Sequence, residues 1–201
     1  MEAGKTRILL TAFDPFGGDE TNASMLCAQA VKAPKGAELF VREMPTVFRR
    51  CRERMNALID EMRPDVILCL GQAAGRRGVT IERIAVNLMD ARIADNEGFC
   101  PRDLPIAPGG PDGLFATAPV RGMLDAVRAR GIEASLSLSA GAFVCNCLLY
   151  ETLSLIRERA LPIRAGFVHI PTLLEQGKDG GGMPLSTAAE AVGLCLEACI
   201  S

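Results

Sequence analysis

The run VILCL at 66–70 places five apolar residues in succession and is closed by Gly71. A strand with one wet face alternates apolar and polar residues. A continuous apolar run must instead be buried on both faces, as in a parallel sheet covered by helices on each side. RILLTAF (7–13) has the same character, and around these two runs strand-like and helix-like segments alternate. A helix is expected near NASMLCAQAVK (22–32) and a strand over AELFVREM (37–44). Thr46 is then placed to cap a long helix in which Phe48, Cys51, Met55, Leu58 and Met62 recur at three- and four-residue spacing. VTIERIAVN (79–87) reads as one further strand, and the Pro- and Gly-rich residues 95–116 as a long loop. Thr117 is placed to cap a helix through Arg130 that Gly131 ends. EASLSLS (133–139) reads as strand, VCNCLLYETLSLIRER (144–159) as helix and RAGFVHIP (164–171) as strand. Thr187 and Glu190 have the spacing of a capping box for the last helix. No repeat or linker interrupts the series. The expected architecture is one α/β domain over 1–201, with three layers, α/β/α, around a twisted, mainly parallel sheet.

Composition narrows the function. The 22 Lys and Arg against 24 Asp and Glu give a net charge of -2, without the basic face of a nucleic-acid binder. The densest basic run, FRRCRER (48–54), reads as the solvated face of a helix. No stretch approaches the roughly 20 apolar residues that span a bilayer, so no membrane partner is expected. The charged start, MEAGKTRILL, does not read as a signal peptide, and a cytoplasmic location is expected. The eight cysteines include no CxxC pair, and most sit inside apolar patterns where a thiol acts as a small hydrophobe. With a single histidine in the chain, structural zinc does not fit, and no cofactor is expected.

In open α/β sheets, ligands bind beyond the carboxyl ends of the strands. FDPFGG (13–18), GQAAGRRG (71–78), AGAFVCN (140–146) and His169-Ile170-Pro171 all follow or close expected strands. GQAAGRRG lacks both the Lys-Ser/Thr of a P-loop and the spacing of a dinucleotide fingerprint. Cys145 falls in the first turn of its helix, where unpaired N–H groups and the positive dipole end lower a thiol pKa. Cys147 falls towards the apolar body of that helix. Periodicity equally allows Cys145 to pack below Leu148 and Leu149. A thiol nucleophile needs a base within reach, and His169 is the sole imidazole. Strand alternation puts Glu82 on an apolar face with Thr80, Ile84 and Val86. A buried carboxylate needs a partner. That partner is either His169, whose tautomer it would fix, or one of Arg76, Arg77 and Arg92.

TAFDPFGG, MPTVF, GQAAGR, IERIAVN, DARIADNEG, AGAFVCN and GFVHIP occur in this order between Arg7 and the last helix. Together they resemble the pyroglutamyl peptidase I (pyrrolidone-carboxylate peptidase) family of cysteine exopeptidases. The resemblance implies a phosphorylase/hydrolase-like α/β/α fold and a catalytic triad on Glu82, Cys145 and His169. It also implies removal of an N-terminal pyroglutamyl (5-oxoprolyl) residue from peptides, with Cys145 rather than Cys147 as nucleophile. It places Phe13, Phe16, Phe143 and Val144 around the lactam ring and Arg92 close to the catalytic cysteine. Asn22 and Gln72 lie in matching motifs, where they order loops or offer amide contacts. Relatives associate, so a homo-oligomer, dimer or tetramer, is expected. The chain departs from the family at Cys147, where many relatives carry histidine, and at Ile81, often proline. Two rival readings are a non-catalytic binding protein on the same scaffold and a nucleoside phosphorylase-like enzyme. Turnover would exclude the first, and independence from phosphate the second. Within the glycine-rich EQGKDGGGMP (175–184), GKDGGGMP (177–184) reads either as a gate over the mouth or as simple disorder.

Overall fold

A computed structural model describes residues 4–177 and 182–200. Its central sheet has six strands, β1 (Thr6–Phe13), β2 (Ala37–Met44), β3 (Val66–Gln72), β4 (Val79–Glu82), β7 (Ala134–Ser137) and β8 (Arg164–Ile170). Their order across the sheet is β2-β1-β3-β8-β4-β7. The pairs β1–β2, β1–β3 and β3–β8 are parallel. β4 runs antiparallel to β8, and the edge strand β7 runs parallel to β4. The sheet is thus mainly parallel, as the continuous apolar runs require.

Helices cover both faces. Val66, Leu68 and Leu70 of β3 belong to one apolar core, under α1 (Ala23–Ala30), α3 (Val120–Ala129) and α5 (Leu185–Ile200). Ile67 and Cys69 belong to the other, under α2 (Cys51–Met62) and α4 (Val144–Glu158). All five of these β3 side chains are buried, and each leucine so placed contributes roughly 1.5–3 kcal/mol. This is the three-layer α/β/α arrangement expected from the sequence.

Several local expectations are corrected. VTIERIAVN is two strands, not one. The chain leaves the main sheet at Arg83, and β5 (Ile84–Val86) pairs antiparallel with β6 (Gly113–Phe115) in a separate ribbon. The Arg83 guanidinium lies 4.8 Å from the Phe115 ring centroid, a contact outside the apolar core. The expected loop 95–116 therefore contains a strand.

Thr46 caps nothing. Its N–H donates to Asp14 Oδ1 (2.7 Å), and a 3-10 turn, Phe48–Arg50, precedes α2. The acceptor at that turn is Asp95, whose Oδ2 takes the Phe48 N–H at 3.0 Å from 47 residues away, beyond the reach of a local motif. Thr117 turns to β8 instead of capping α3, and its hydroxyl accepts from Ala165 N–H at 2.8 Å. Thr187 lies inside α5, and Glu190 pairs with Arg130. The Leu185 N–H donates instead to the Glu175 carboxylate at 3.0 and 3.1 Å. Of the glycine-rich 175–184 loop, residues 178–181 lie outside the described residues, and with them the gating expectation.

Candidate active site

Strand alternation assembles one wall of the site. On the α2/α4 face, β1 presents Leu9 and Phe13, β3 presents Ile67 and Cys69, and β8 presents Ala165 and Phe167. The same period of two carries β3 on to Gly71 and β8 on to His169. In β4, Val79 and Ile81 face the opposite core, leaving Thr80 and Glu82 on this side. β4 and β7 run against the other strands, so the end of β7 is level with Phe167 rather than with the mouth. Residues 138–143 must carry the chain back before α4 begins.

Gly141 supplies the turn that redirects the chain, with φ 83°, a region costly for other residues. The buried Asn146 then pins α4 to β5. Its Oδ1 accepts from Val86 N–H (2.9 Å), and its Nδ2 donates to Val86 O (2.8 Å) and Leu88 O (3.1 Å). Cys145, one residue earlier, is half-buried and lines a cavity of about 200 Å³ together with His169. Cys147 is 2% exposed, with its sulfur 3.7 Å from Phe48 O, packed between α4 and the start of α2. The two thiols are thereby distinguished: one opens on a cavity, the other is core.

Gly71 is the floor between Cys145 and His169. A Cβ built there would lie 3.0 Å from Cys145 Sγ and 3.0 Å from His169 Cδ2, so these two atoms are within about 6 Å of each other. The glycine at the end of the founding apolar run is thus required for space. Read as a strand terminator, it was missed as a site residue; its parity with His169 across the β3–β8 pair is the signal that marks it.

His169 and Glu82 are both buried, and His169 Nδ1 lies 2.8 Å from Glu82 Oε1. Nδ1 is then the donor, which leaves Nε2 as an acceptor. Arg76 Nη1 donates to the same Oε1 at 2.7 Å, so the two candidate partners of Glu82 are both engaged. Glu82 Oε2 has no hydrogen-bond partner among the described residues. Burial lowers the His169 pKa below its ordinary value, against the upward pull of Glu82, so the ring is a neutral base at pH 7. Burial works against the Glu82 charge, but His169, Ser137 and Arg76 together hold its pKa below the ordinary value.

Cys145 departs from the helix-end expectation. Burial, reinforced by the negative charge of Glu82, pushes its thiol up to about 12, and the opposing pull of Arg76 does not offset this. The resting pair is therefore neutral thiol and neutral imidazole.

Phe13, Phe16, Asn22, Gln72, Phe143 and Val144 all line the cavity. Phe16 and Phe143 sit with ring centroids 6.2 Å apart, and Phe48 holds Phe143 edge-on at 5.3 Å. Asn22 and Gln72 order the walls. Asn22 Oδ1 accepts from Ser24 N–H (3.0 Å) while its Nδ2 donates to Asp14 O (2.9 Å), and Gln72 Oε1 accepts from Ala23 N–H (2.8 Å). Arg92 is not brought into this constellation: it is exposed, and among the described lining residues Arg76 is the sole arginine or lysine. The loop after β3 turns back at Gly75 and brings Arg76 to the cavity.

The pyroglutamyl peptidase family model matches residues 6–201. The chain belongs to the pyroglutamyl peptidase family. It is 41% identical over 188 residues to a pyrrolidone-carboxylate peptidase of Thermococcus onnurineus, covering 92% of this chain and 94% of that one. It is 40% identical over 200 residues to the corresponding protein of Brevibacillus brevis, covering 96% and 93%. The fold is similar to the crystal structure of Bacillus amyloliquefaciens pyroglutamyl peptidase I, with a TM-score of 0.92 at 35% identity, covering 97% of both chains. A pyrrolidone carboxyl peptidase variant from Pyrococcus furiosus has the same TM-score and identity, covering 97% and 98%. Pyroglutamyl peptidases are peptidases of the cysteine type, which agrees with a thiol rather than a hydroxyl at the cavity wall. Among the described residues, no helix is long and apolar enough to cross a membrane.

Proposed function

We propose that this pyroglutamyl peptidase removes an N-terminal 5-oxoprolyl residue from peptides through a thioester on Cys145. The observation that carries this reading is the 2.8 Å contact from Glu82 to His169, continuing to a half-buried thiol on a small cavity walled by phenylalanines. A cavity of about 200 Å³ is small beside the roughly 300–1,000 Å³ of typical ligand pockets, and a five-membered lactam is a correspondingly small ligand. The lactam is uncharged, which suits an aromatic lining better than an ion-pairing one.

His169 Nε2 takes the Cys145 proton as Sγ bonds to the pyroglutamyl carbonyl carbon, and the carbonyl π electrons pass to oxygen. No side chain caps the first turn of α4, so its backbone N–H groups are available to that oxyanion. Collapse breaks the C–N bond, and His169 returns its proton to the departing amine. Water then gives a proton to His169 and attacks the thioester; the C–S bond breaks, Cys145 regains its proton and 5-oxoproline leaves. Glu82 holds the Nδ1–H tautomer and offsets the imidazolium charge while it lasts.

Cys145→Ala is expected to abolish release of the fluorophore from a pyroglutamyl amide while the unfolding transition is retained. Wild-type turnover in that variant would refute the proposed nucleophile.

A further inference from the structure

We propose that Arg76 is a positioning residue of this site, fixing Glu82 and, through it, His169. The inference rests on the mechanism above. Glu82 Oε1 is shared by two donors, His169 Nδ1 at 2.8 Å and Arg76 Nη1 at 2.7 Å, while Oε2 is buried without a partner. A carboxylate held through one oxygen by a single imidazole can pivot about that bond, and besides His169 the groups that favour its charged form are the Ser137 hydroxyl and Arg76. Of these, Arg76 is the cation and bonds Oε1 itself from a different element, which restrains the pivot. Arg76 is itself held. Its N–H closes a turn onto Ala73 O (3.2 Å), Gly75 (φ 84°) allows that turn, and the side chain is 31% exposed at the cavity wall.

The charged and titratable groups facing His169 are Glu82 from β4 and Arg76 from the β3–β4 loop, with Cys145 from α4 across Gly71 and Cys69 of β3 facing Cys145 in turn. Arg76 is the one cation among them. Its charge opposes protonation of His169 and favours ionised Glu82, so it keeps the ring a base and the carboxylate an acceptor.

The chain holds one histidine, so in untagged protein the imidazole signals report His169 alone. The test is an NMR titration of His169 in the wild type, Arg76→Gln and Arg76→Lys, with steady-state kinetics on a pyroglutamyl amide. In Arg76→Gln the midpoint is expected to rise by about half a pH unit or more. The kcat is expected to fall about tenfold or more, with KM within about twofold. Arg76→Lys, which keeps the charge but not the planar fork, is expected to hold the wild-type midpoint and lose part of kcat. An unchanged midpoint and kcat in Arg76→Gln would overturn the proposal. A raised KM at wild-type kcat would also overturn it, since Arg76 would then be a substrate contact. Should Arg76→Gln not fold, wild-type kcat in Arg76→Lys overturns it. The titration needs no turnover. An upward shift in a chain inert towards pyroglutamyl amides would therefore sink the proposed reaction and leave the placement of Arg76 standing.

Discussion

Replacing Gly71 by alanine adds one methyl group and removes no functional atom, yet it is expected to disable the site. The added carbon would lie 2.8 Å from Phe167 Cζ and 3.0 Å from both Cys145 Sγ and His169 Cδ2, where ordinary contact begins at 3.4 Å. Each neighbour must therefore retreat by several tenths of an ångström, in different directions. Phe167 is fully buried and has nowhere to go. Sulfur and imidazole are thus forced apart. Overpacking of this kind costs about 1–3 kcal/mol of stability, which for a chain of this length lowers the melting temperature by roughly 2–12 °C. Misplacing Cys145 and His169 costs activity more steeply: about 1 Å costs on the order of 100-fold, so these shifts are expected to lower kcat by about tenfold or more. Steady-state hydrolysis of a pyroglutamyl amide, beside a thermal melt, measures both. A Gly71→Ala enzyme with kcat within twofold of wild type would refute the claim that the two groups meet over this glycine.

Three further outcomes follow from the electrostatics and packing. Burial depresses the His169 pKa, so the acid limb of kcat/KM is expected below the ordinary imidazole value of about 6.5; a limb above 7 contradicts a neutral buried base. The same depression means that the unfolded chain binds a proton near pH 6.5 before the folded one does. Stability is therefore lost as pH falls below that value, which a denaturant midpoint measured across pH would register. Cys147→Ser is expected to keep wild-type kcat while losing about 1–3 kcal/mol of stability, because a hydroxyl replaces a thiol in the core between α4 and α2. An inactive but folded Cys147→Ser enzyme would overturn the division between the two thiols.

The layered fold was legible because VILCL and RILLTAF admit few alternatives: neither has a polar face to show to water. Cys145 and His169 could be singled out as candidates, as a thiol at a helix start and a sole imidazole at a strand end; Glu82 was reached through an apolar face with Ile84 and Val86 that the structure places in a separate ribbon. What sequence could not supply was contact across the chain. The cap before α2 comes from Asp95 and the one before α5 from Glu175, while the threonines expected to cap (Thr46, Thr117, Thr187) are placed elsewhere. Local pattern rules see only neighbours within a few residues, and these acceptors lie further away. That Arg76 lines the cavity while Arg92 is exposed has the same reason. Which arginine enters a cavity depends on where the β3–β4 loop turns back, and no periodicity encodes that. The thiol pKa was misjudged because a helix-end argument counts the dipole and omits burial and the carboxylate charge nearby.

Alkylation mapping tests the central claim most directly. Of the eight thiols, Cys100 is exposed, Cys145 is half-buried at the cavity, and the other six are buried. The enzyme would be treated with limiting iodoacetamide, and residual activity compared with the extent of modification at each cysteine by peptide mass spectrometry. Loss of activity is predicted to track carboxamidomethylation of Cys145 one for one, irrespective of Cys100. Full activity with Cys145 fully alkylated, or loss that follows another thiol, would contradict the account.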